Sequence, residues 1–372
     1  MENIPPDTRH LILNRDFNKP LKPGDIPNSV IHLVLGTDFD QPLKPGDIPN
    51  SVIHLTIGND FNQKLKPGDI PNSVTHLVFG TDPNHASRME ISAISIRLKD
   101  KEARFNQPLG IGIIPNSVTH LVLATFFNQP LKKGDIPNSV THLSFGQDFN
   151  QPLKPGDIPN SVTHLVFGQK FDQPLEPGNI PNSVVSLTFG YRFNQILYPG
   201  DIPNSVTHLE FGEWFDKVLK PGDIPNSVTH LKFGEFFDQP LKKGDIPESV
   251  IYLIFRSRLD FTRLPNNRFD KQLTRDSIPE SITYISIDLG YTIKFDQEMS
   301  DNIPDTIFLD MRYLESCEIE DDDLYRINKW IPIQCKHFDD NTFYIDTFLS
   351  RINSGILSEI PNELLLYMLE YL

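Results

Sequence analysis

Residues 136–157 read Ile136-Pro137-Asn138-Ser139-Val140-Thr141-His142-Leu143-Ser144-Phe145-Gly146-Gln147-Asp148-Phe149-Asn150-Gln151-Pro152-Leu153-Lys154-Pro155-Gly156-Asp157, and at Ile158 the same series begins again. Leu143 and Phe145 alternate with His142 and Ser144, which is the period-2 pattern of a short strand with one buried face. The remainder cannot be helical, because Pro152, Pro155, Gly156 and Pro159 fall within eight residues and proline removes the backbone donor a helix needs. Each unit is therefore a strand followed by a long, non-helical return.

Working outward, the proline of the opening Ile-Pro recurs every 22 residues: Pro5, Pro27, Pro49 and Pro71, then Pro115, Pro137, Pro159, Pro181, Pro203, Pro225 and Pro247. Pro71 and Pro115 are 44 residues apart. Phe105, Asn106, Gln107, Pro108 and Leu109 keep the register between them, so a decayed unit is expected there. Looser units follow at Pro279 and Pro304. A single unit with six apolar positions cannot offset the entropy of ordering its own backbone, whereas stacked units cover one another's apolar edges and pair their strands. The expected fold is a repeat solenoid of short parallel β-strands joined by mostly non-helical turns, about 13–14 coils of 22 residues. Gly156 is expected to supply a positive φ at the turn. Asn138 and its equivalents are expected to form an amide ladder that satisfies turn groups.

The spacing Val-x-x-Leu-x-Phe from Val140 to Phe145 matches the strand core of a leucine-rich repeat. The ninth position from Val140, where those repeats place Asn, is Asp148, and Asn150 comes two later. The unit resembles instead the FNIP repeat, whose letters are carried by Phe149-Asn150 and Ile158-Pro159. The resemblance covers about residues 4–310, and implies a leucine-rich-repeat-like solenoid with an interaction role and no catalytic residues to transfer.

Nine of the eleven histidines, His10, His32, His54, His76, His120, His142, His164, His208 and His230, occupy one slot of the repeat. They are expected to stack ring over ring as an exposed row, with pKa values lowered by their like-charged neighbours. Neither a carboxylate nor a thiolate completes a tetrahedral set around them, so no metal and no cofactor is expected. Nucleophile elbows, phosphate-binding glycine loops and paired-histidine motifs are absent from the sequence, and the expected function is not enzymatic.

Solenoids bind partners where the repeat varies. In the units from Pro181, Pro203 and Pro225 the turn after the strand carries Tyr191 with Arg192, Glu213 with Trp214, and Glu235 with Phe236. On the strand itself the same units present Thr188, Glu210 and Lys232. Exposed aromatic and arginine side chains are the residue types that dominate binding energy. Tyr191, Arg192, Glu210, Glu213, Trp214, Lys232, Glu235 and Phe236 are therefore the candidate partner-binding residues.

The formal net charge of the 372-residue chain is -15, and about ten of those charges fall in residues 301–372. No basic excess exists to follow a phosphate backbone, so nucleic acid is not an expected partner. A basic run, Arg256, Arg258, Arg263, Arg268, Lys271 and Arg275, marks the lengthened spacing between Pro247 and Pro279. The two cysteines, Cys317 and Cys335, suggest a reduced compartment. With no apolar run of about 20 residues and no secretory leader, the expected location is cytoplasmic, without membrane attachment.

After residue 312 the period fails. Residues 313–356 read as an acidic junction and cap, and residues 357–372 as a small amphipathic α-helix. The last stretch resembles the opening of an F-box, whose apolar-Pro-x-Glu-Leu-Leu pattern is met by Ile360, Pro361, Glu363, Leu364 and Leu365, followed by Met368, Leu369, Tyr371 and Leu372. The match spans 16 residues, about the first third of that motif. It implies docking on a Skp1-like adaptor through Ile360, Pro361, Leu364, Leu365, Met368, Leu369 and Leu372, with the repeats selecting substrates for ubiquitination. A terminal cap helix and a fifteenth repeat, since Ile360-Pro361-Asn362 copies the unit's opening, are the alternatives. The leading functional expectation is a protein-protein interaction scaffold, with the cullin-type ligase adaptor second.

Overall fold

The computed structural model describes residues 4–80, 102–255, 278–282, 284–287 and 308–310. The chain divides into two units, Met1–Arg312 and Tyr313–Leu372, and every described residue belongs to the first. The expected acidic junction, the terminal helix, its F-box-like residues and the basic run from Arg256 all lie outside the described residues.

Thirteen strands form one sheet: β1 His10–Ile12, β2 His32–Val34, β3 His54–Ile57, β4 His76–Phe79, β5 His120–Val122, β6 His142–Ser144, β7 His164–Val166, β8 Ser186–Thr188, β9 His208–Glu210, β10 His230–Phe233, β11 Tyr252–Phe255, β12 Tyr284–Ile287 and β13 Phe308–Asp310. Their spatial order is their sequence order, and each described pair is parallel. Register follows the repeat, so that Leu143 opposes Leu121 on one side and Leu165 on the other. The described residues contain no helix, and the fold is a parallel β-solenoid.

The core runs along the inside of the coils in rows of like residues. Val140 and Phe149 are 0% exposed and Leu143 and Phe145 are 1% exposed. Phe149 lies between Phe127 at 6.2 Å and Phe171 at 6.1 Å, and stacks on Phe145 of its own coil at 4.0 Å. Identical rings in register let one packing solution repeat down the stack, which is how coils built of a short strand and turns bury a continuous core.

A return made of turns has many backbone groups to satisfy, and each recurring polar residue has one such task. Asp157 Oδ2 accepts from Lys154 N–H at 2.8 Å, closing the turn in which Gly156 has φ of 91°. Ser161 Oγ donates to the Val140 carbonyl one coil back at 2.7 Å. Gly146 answers a different demand: a Cβ there would collide with the carbonyl oxygen of Ala124 in the preceding coil. At Gly146 the strand is thus followed by a close approach of two backbones that leaves no room for a side chain.

The amide ladder exists, but on another residue. Asn138 is exposed. Asn150 instead accepts, through Oδ1, from Asp172 N–H and from Gln173 Nε2 of the next coil, both at 2.9 Å. Its equivalents in other coils are Asn or Asp; Asp172 Oδ1, for example, accepts from Asn194 N–H and Gln195 Nε2. Only an acceptor is needed at this position, so either side chain serves. Replacing Asn150 with alanine strands a backbone donor and is expected to lower the unfolding free energy by about 1–3 kcal/mol. Asn138→Ala is expected to stay within about 0.5 kcal/mol. Urea denaturation of the two variants separates these assignments, and equal losses would refute the ladder as placed.

The 44-residue interval also differs from expectation. β4 pairs directly with β5, His76 opposing His120, with no strand between them. Phe105 stacks on Phe79 at 4.4 Å, as Phe149 does on Phe145, and lies between Phe61 and Phe127 at 6.0 and 6.3 Å. Asn106 N–H donates to Asn62 Oδ1, and Asn128 N–H donates to Asn106 Oδ1. Residues 103–109 therefore complete the coil that β4 begins. The described residues of the interval thus make one coil rather than two, because β4 and β5 are hydrogen-bonded neighbours in the sheet.

Candidate partner-binding surface

The strand residues that face outward and the turn residues that follow them form two rows across the coils. Between the rows a shallow groove crosses five coils, from Val122 and Thr125 to Glu210 and Glu213. Its floor is backbone, since Gly146, Gly168, Gly190 and Gly212 leave no side chain there. The walls change along its length: Gln147 and Gln169 give way to Tyr191 and then Glu213, and Ser144 and Val166 to Thr188 and Glu210. One end is thus neutral and the other is acidic and aromatic.

At that second end the candidate residues meet. Tyr191 and Trp214 are exposed ring neighbours, with centroids 5.7 Å apart and planes inclined by 51°. The Arg192 guanidinium carbon lies 5.5 Å from the Trp214 ring centroid, within the range of a cation–π contact. Lys232 Nζ pairs with Glu210 Oε1 at 2.9 Å across β9 and β10, and Glu213 Oε2 accepts from Glu235 N–H at 2.9 Å. Glu210, Glu213, Lys232, Glu235 and Phe236 are half-buried, so exposure belongs to Tyr191, Arg192 and Trp214. Phe236 in particular is more covered than its place after Glu235 suggests.

A further signal is the distribution of exposed apolar side chains. Of ten large ones among the described residues, six lie between Val185 and Val218. Ile196 and Val218, 52% and 50% exposed, replace the proline that Pro152 represents in other units, and Tyr198 at 59% replaces a lysine. Those departures were visible in the sequence as substitutions on the return strand side of the repeat.

The histidine row stacks with centroids 4.2 Å apart from His32 through His164. It is less exposed than expected: His32, His54, His76, His120, His142 and His230 are half-buried, because each ring is covered by the rings above and below. Burial, more than mutual repulsion, is what lowers the pKa of His32 and His54 and brings His76 and His230 down to about 4. Thr141 Oγ1 lies 2.9 Å from His142 Nδ1 and 3.2 Å from the Thr119 carbonyl, and the same triangle recurs at Thr163 and Thr229. A threonine hydroxyl therefore orients the rings of His76, His120, His142, His164, His208 and His230. Among the described residues no three His, Cys, Asp or Glu side chains converge to hold a metal ion.

The FNIP Repeat family matches residues 2–38, 17–60, 61–86, 105–148, 127–156, 149–192 and 193–236, more than half of the chain. No curated protein matches it. Among solved structures the chain is similar to CroV588, described as a novel circular LRR protein structure, at 30% sequence identity and a TM-score of 0.63. The alignment covers 83% of this chain and 47% of CroV588, so the chain spans about half the length of that neighbour. No helix among the described residues is long and apolar enough to cross a membrane.

Proposed function

Because the chain belongs to the FNIP-repeat family and its exposed apolar residues gather on neighbouring coils, we propose that it is a non-catalytic scaffold that binds other proteins through the coils beginning at Pro181, Pro203 and Pro225. The observation that carries this reading is the clustering of six exposed large apolar side chains between Val185 and Val218, two of which, Tyr191 and Trp214, are ring neighbours with Arg192 beside them. Elsewhere the exposed positions repeat with little change, as expected of a spacer. An aromatic pair with an adjoining guanidinium supplies contact area at low entropic cost. The expected result is that a protein captured from cell extract by the wild-type chain is lost, by about 30-fold or more in affinity, from the double variant Tyr191→Ala, Trp214→Ala, whose melting temperature is unchanged. Equal binding by both would move the interaction off these coils.

The second reading, a substrate adaptor of a cullin-type ubiquitin ligase in the cytoplasm, rests on the sequence match of Ile360, Pro361, Leu364, Leu365, Met368, Leu369 and Leu372 to an F-box opening. It predicts that a Skp1-like protein co-precipitates with the chain and is lost on deletion of residues 357–372. Retention after that deletion removes the adaptor role and leaves the scaffold intact.

A further inference from the structure

The ring stack has one interruption. From β1 to β11 the first strand position is a ring in every coil except β8, where it is Ser186. The backbone takes no notice of the change. Ser186 stays in register with His164 and His208, and its N–H donates to the Thr163 carbonyl at 3.1 Å, as His208 N–H does to the Val185 carbonyl. His164 and His208 are therefore two coil steps apart, and the residue in register between them carries a hydroxymethyl group in place of a ring. Twice the 4.2 Å spacing seen from His142 to His164 is about 8.4 Å, which is the room that one flat ring takes when stacked on both faces.

Exposure agrees with that geometry. His164 and His208 are exposed, whereas the six other internal histidines of the row are half-buried. Both rings are held by hydroxyls, with Thr163 Oγ1 and Thr207 Oγ1 each 2.9 Å from the neighbouring Nδ1. At the rim Val185, 39% exposed, replaces the threonine of the clean units. The opening lies on the coil that also carries Tyr191 and Arg192. Glu210, Glu213 and Glu235 on the next two coils disfavour a phosphate-bearing ligand and leave a protein side chain as the fitting source of a ring.

We propose that the break in the histidine stack at Ser186 is an anchor slot for one aromatic side chain, tyrosine or tryptophan, of a protein partner, which enters edge-on and completes the stack between His164 and His208. This rests on the protein-binding reading and names its recognition element. Offset-stacked rings at such separations attract beyond their buried area, and the slot's walls are ordered before the ligand arrives, so little entropy is lost in forming it.

The test is a titration of the full chain with N-acetyl-tryptophanamide, with N-acetyl-leucinamide as control, followed through the histidine ring signals by NMR. Saturable upfield ring-current shifts are expected at His164 and His208, with none at His54 or His76, and only for the aromatic amide. Ser186→His restores the residue that nine other coils carry and fills the slot; it is expected to weaken binding by about tenfold or more, while Ser186→Ala retains it. Absence of a saturable shift in the wild type, or an equal shift in Ser186→His, overturns the slot. A captured protein partner that binds Ser186→His as well as wild type likewise overturns it, yet leaves the scaffold reading standing. Saturable binding of the amide to a chain that captures no protein supports the slot and counts against the scaffold.

Discussion

Replacing Phe171 with alanine is expected to lower the unfolding free energy by about 3–5 kcal/mol and to split the unfolding transition into two steps. Phe171 is 0% exposed. Its ring faces Phe149 at 6.1 Å and Phe193 at 6.2 Å in the adjacent coils, and Phe167 at 4.0 Å in its own. The truncation leaves a cavity that the neighbouring rings cannot fill, since each is fixed by its own stack. Because coils contact only their neighbours, a weak layer in the middle uncouples the layers before it from those after it. Urea denaturation followed by hydrogen exchange should then show the coils on either side losing protection at different denaturant concentrations. A single transition within about 1 kcal/mol of wild type would show that the phenylalanine row is not what joins the coils.

The second large effect is acid lability. His76 and His230 have pKa values of about 4 in the fold, and His32 and His54 are lowered as well, through burial first and neighbouring imidazoles second. An unfolded histidine titrates near the ordinary imidazole value of 6.5. Below that pH the unfolded chain takes up protons that the folded rings refuse, so the stability present above 6.5 is lost as pH falls towards 4. The slope has a ceiling of about 1.4 kcal/mol per pH unit for each such ring. The turn carboxyls run the other way. Burial raises the pKa of Asp47, Asp135, Asp201 and Asp223, so the fold holds those protons more firmly than the unfolded chain, and they offset part of the loss at the acid end. The net fall should be steepest between the two histidine values, at about pH 5–6. Melting temperatures measured at pH 7.5, 6 and 5 should decline, and His54→Gln with His76→Gln should flatten the decline. A profile that stays level across this range, or that the double variant leaves unchanged, would contradict the assignment of proton-refusing rings.

Protonation would act on the stack as a whole. Each buried ring is the cover of the next, at 4.2 Å, so charging one raises the cost of charging its neighbours. The break at Ser186 divides the row, with His10 to His164 on one side and His208, His230 and Tyr252 on the other. Tyr252 closes the second group with a ring 4.3 Å from His230.

Much of this architecture is legible in the residues because the period is strict. A 22-residue spacing that places Leu143 over Leu121 and Leu165 determines strand position, parallel order and register together, and it identifies the histidines as one row. The positive φ of Gly156 follows from its place in a turn. The variable residues Tyr191, Arg192 and Trp214 stand out against unvarying copies, and the structure places them side by side at one end of the groove.

What the period could not decide is the direction of a side chain within a turn, the covering of a ring by its neighbours, and which residues close an irregular coil. Asn138 and Asn150 recur equally well, yet it is Asn150 whose Oδ1 accepts from the next coil, at the N–H of Asp172 directly after Phe171. His142 looks like an outward-facing strand residue until the rings on either side are counted as cover. The interval from Pro71 to Pro115 is two periods long, and only strand pairing and the Phe79 to Phe105 contact show that its described residues close one coil. Ser186 is the clearest case. As a letter it is one lost histidine, whereas in the stack it is a ring-sized gap between two oriented rings, since spacing between layers is set by backbone hydrogen bonds that do not depend on what the side chain is. The repeat alone thus determined the order and register of the layers, and the tertiary structure decided which surfaces those layers leave open.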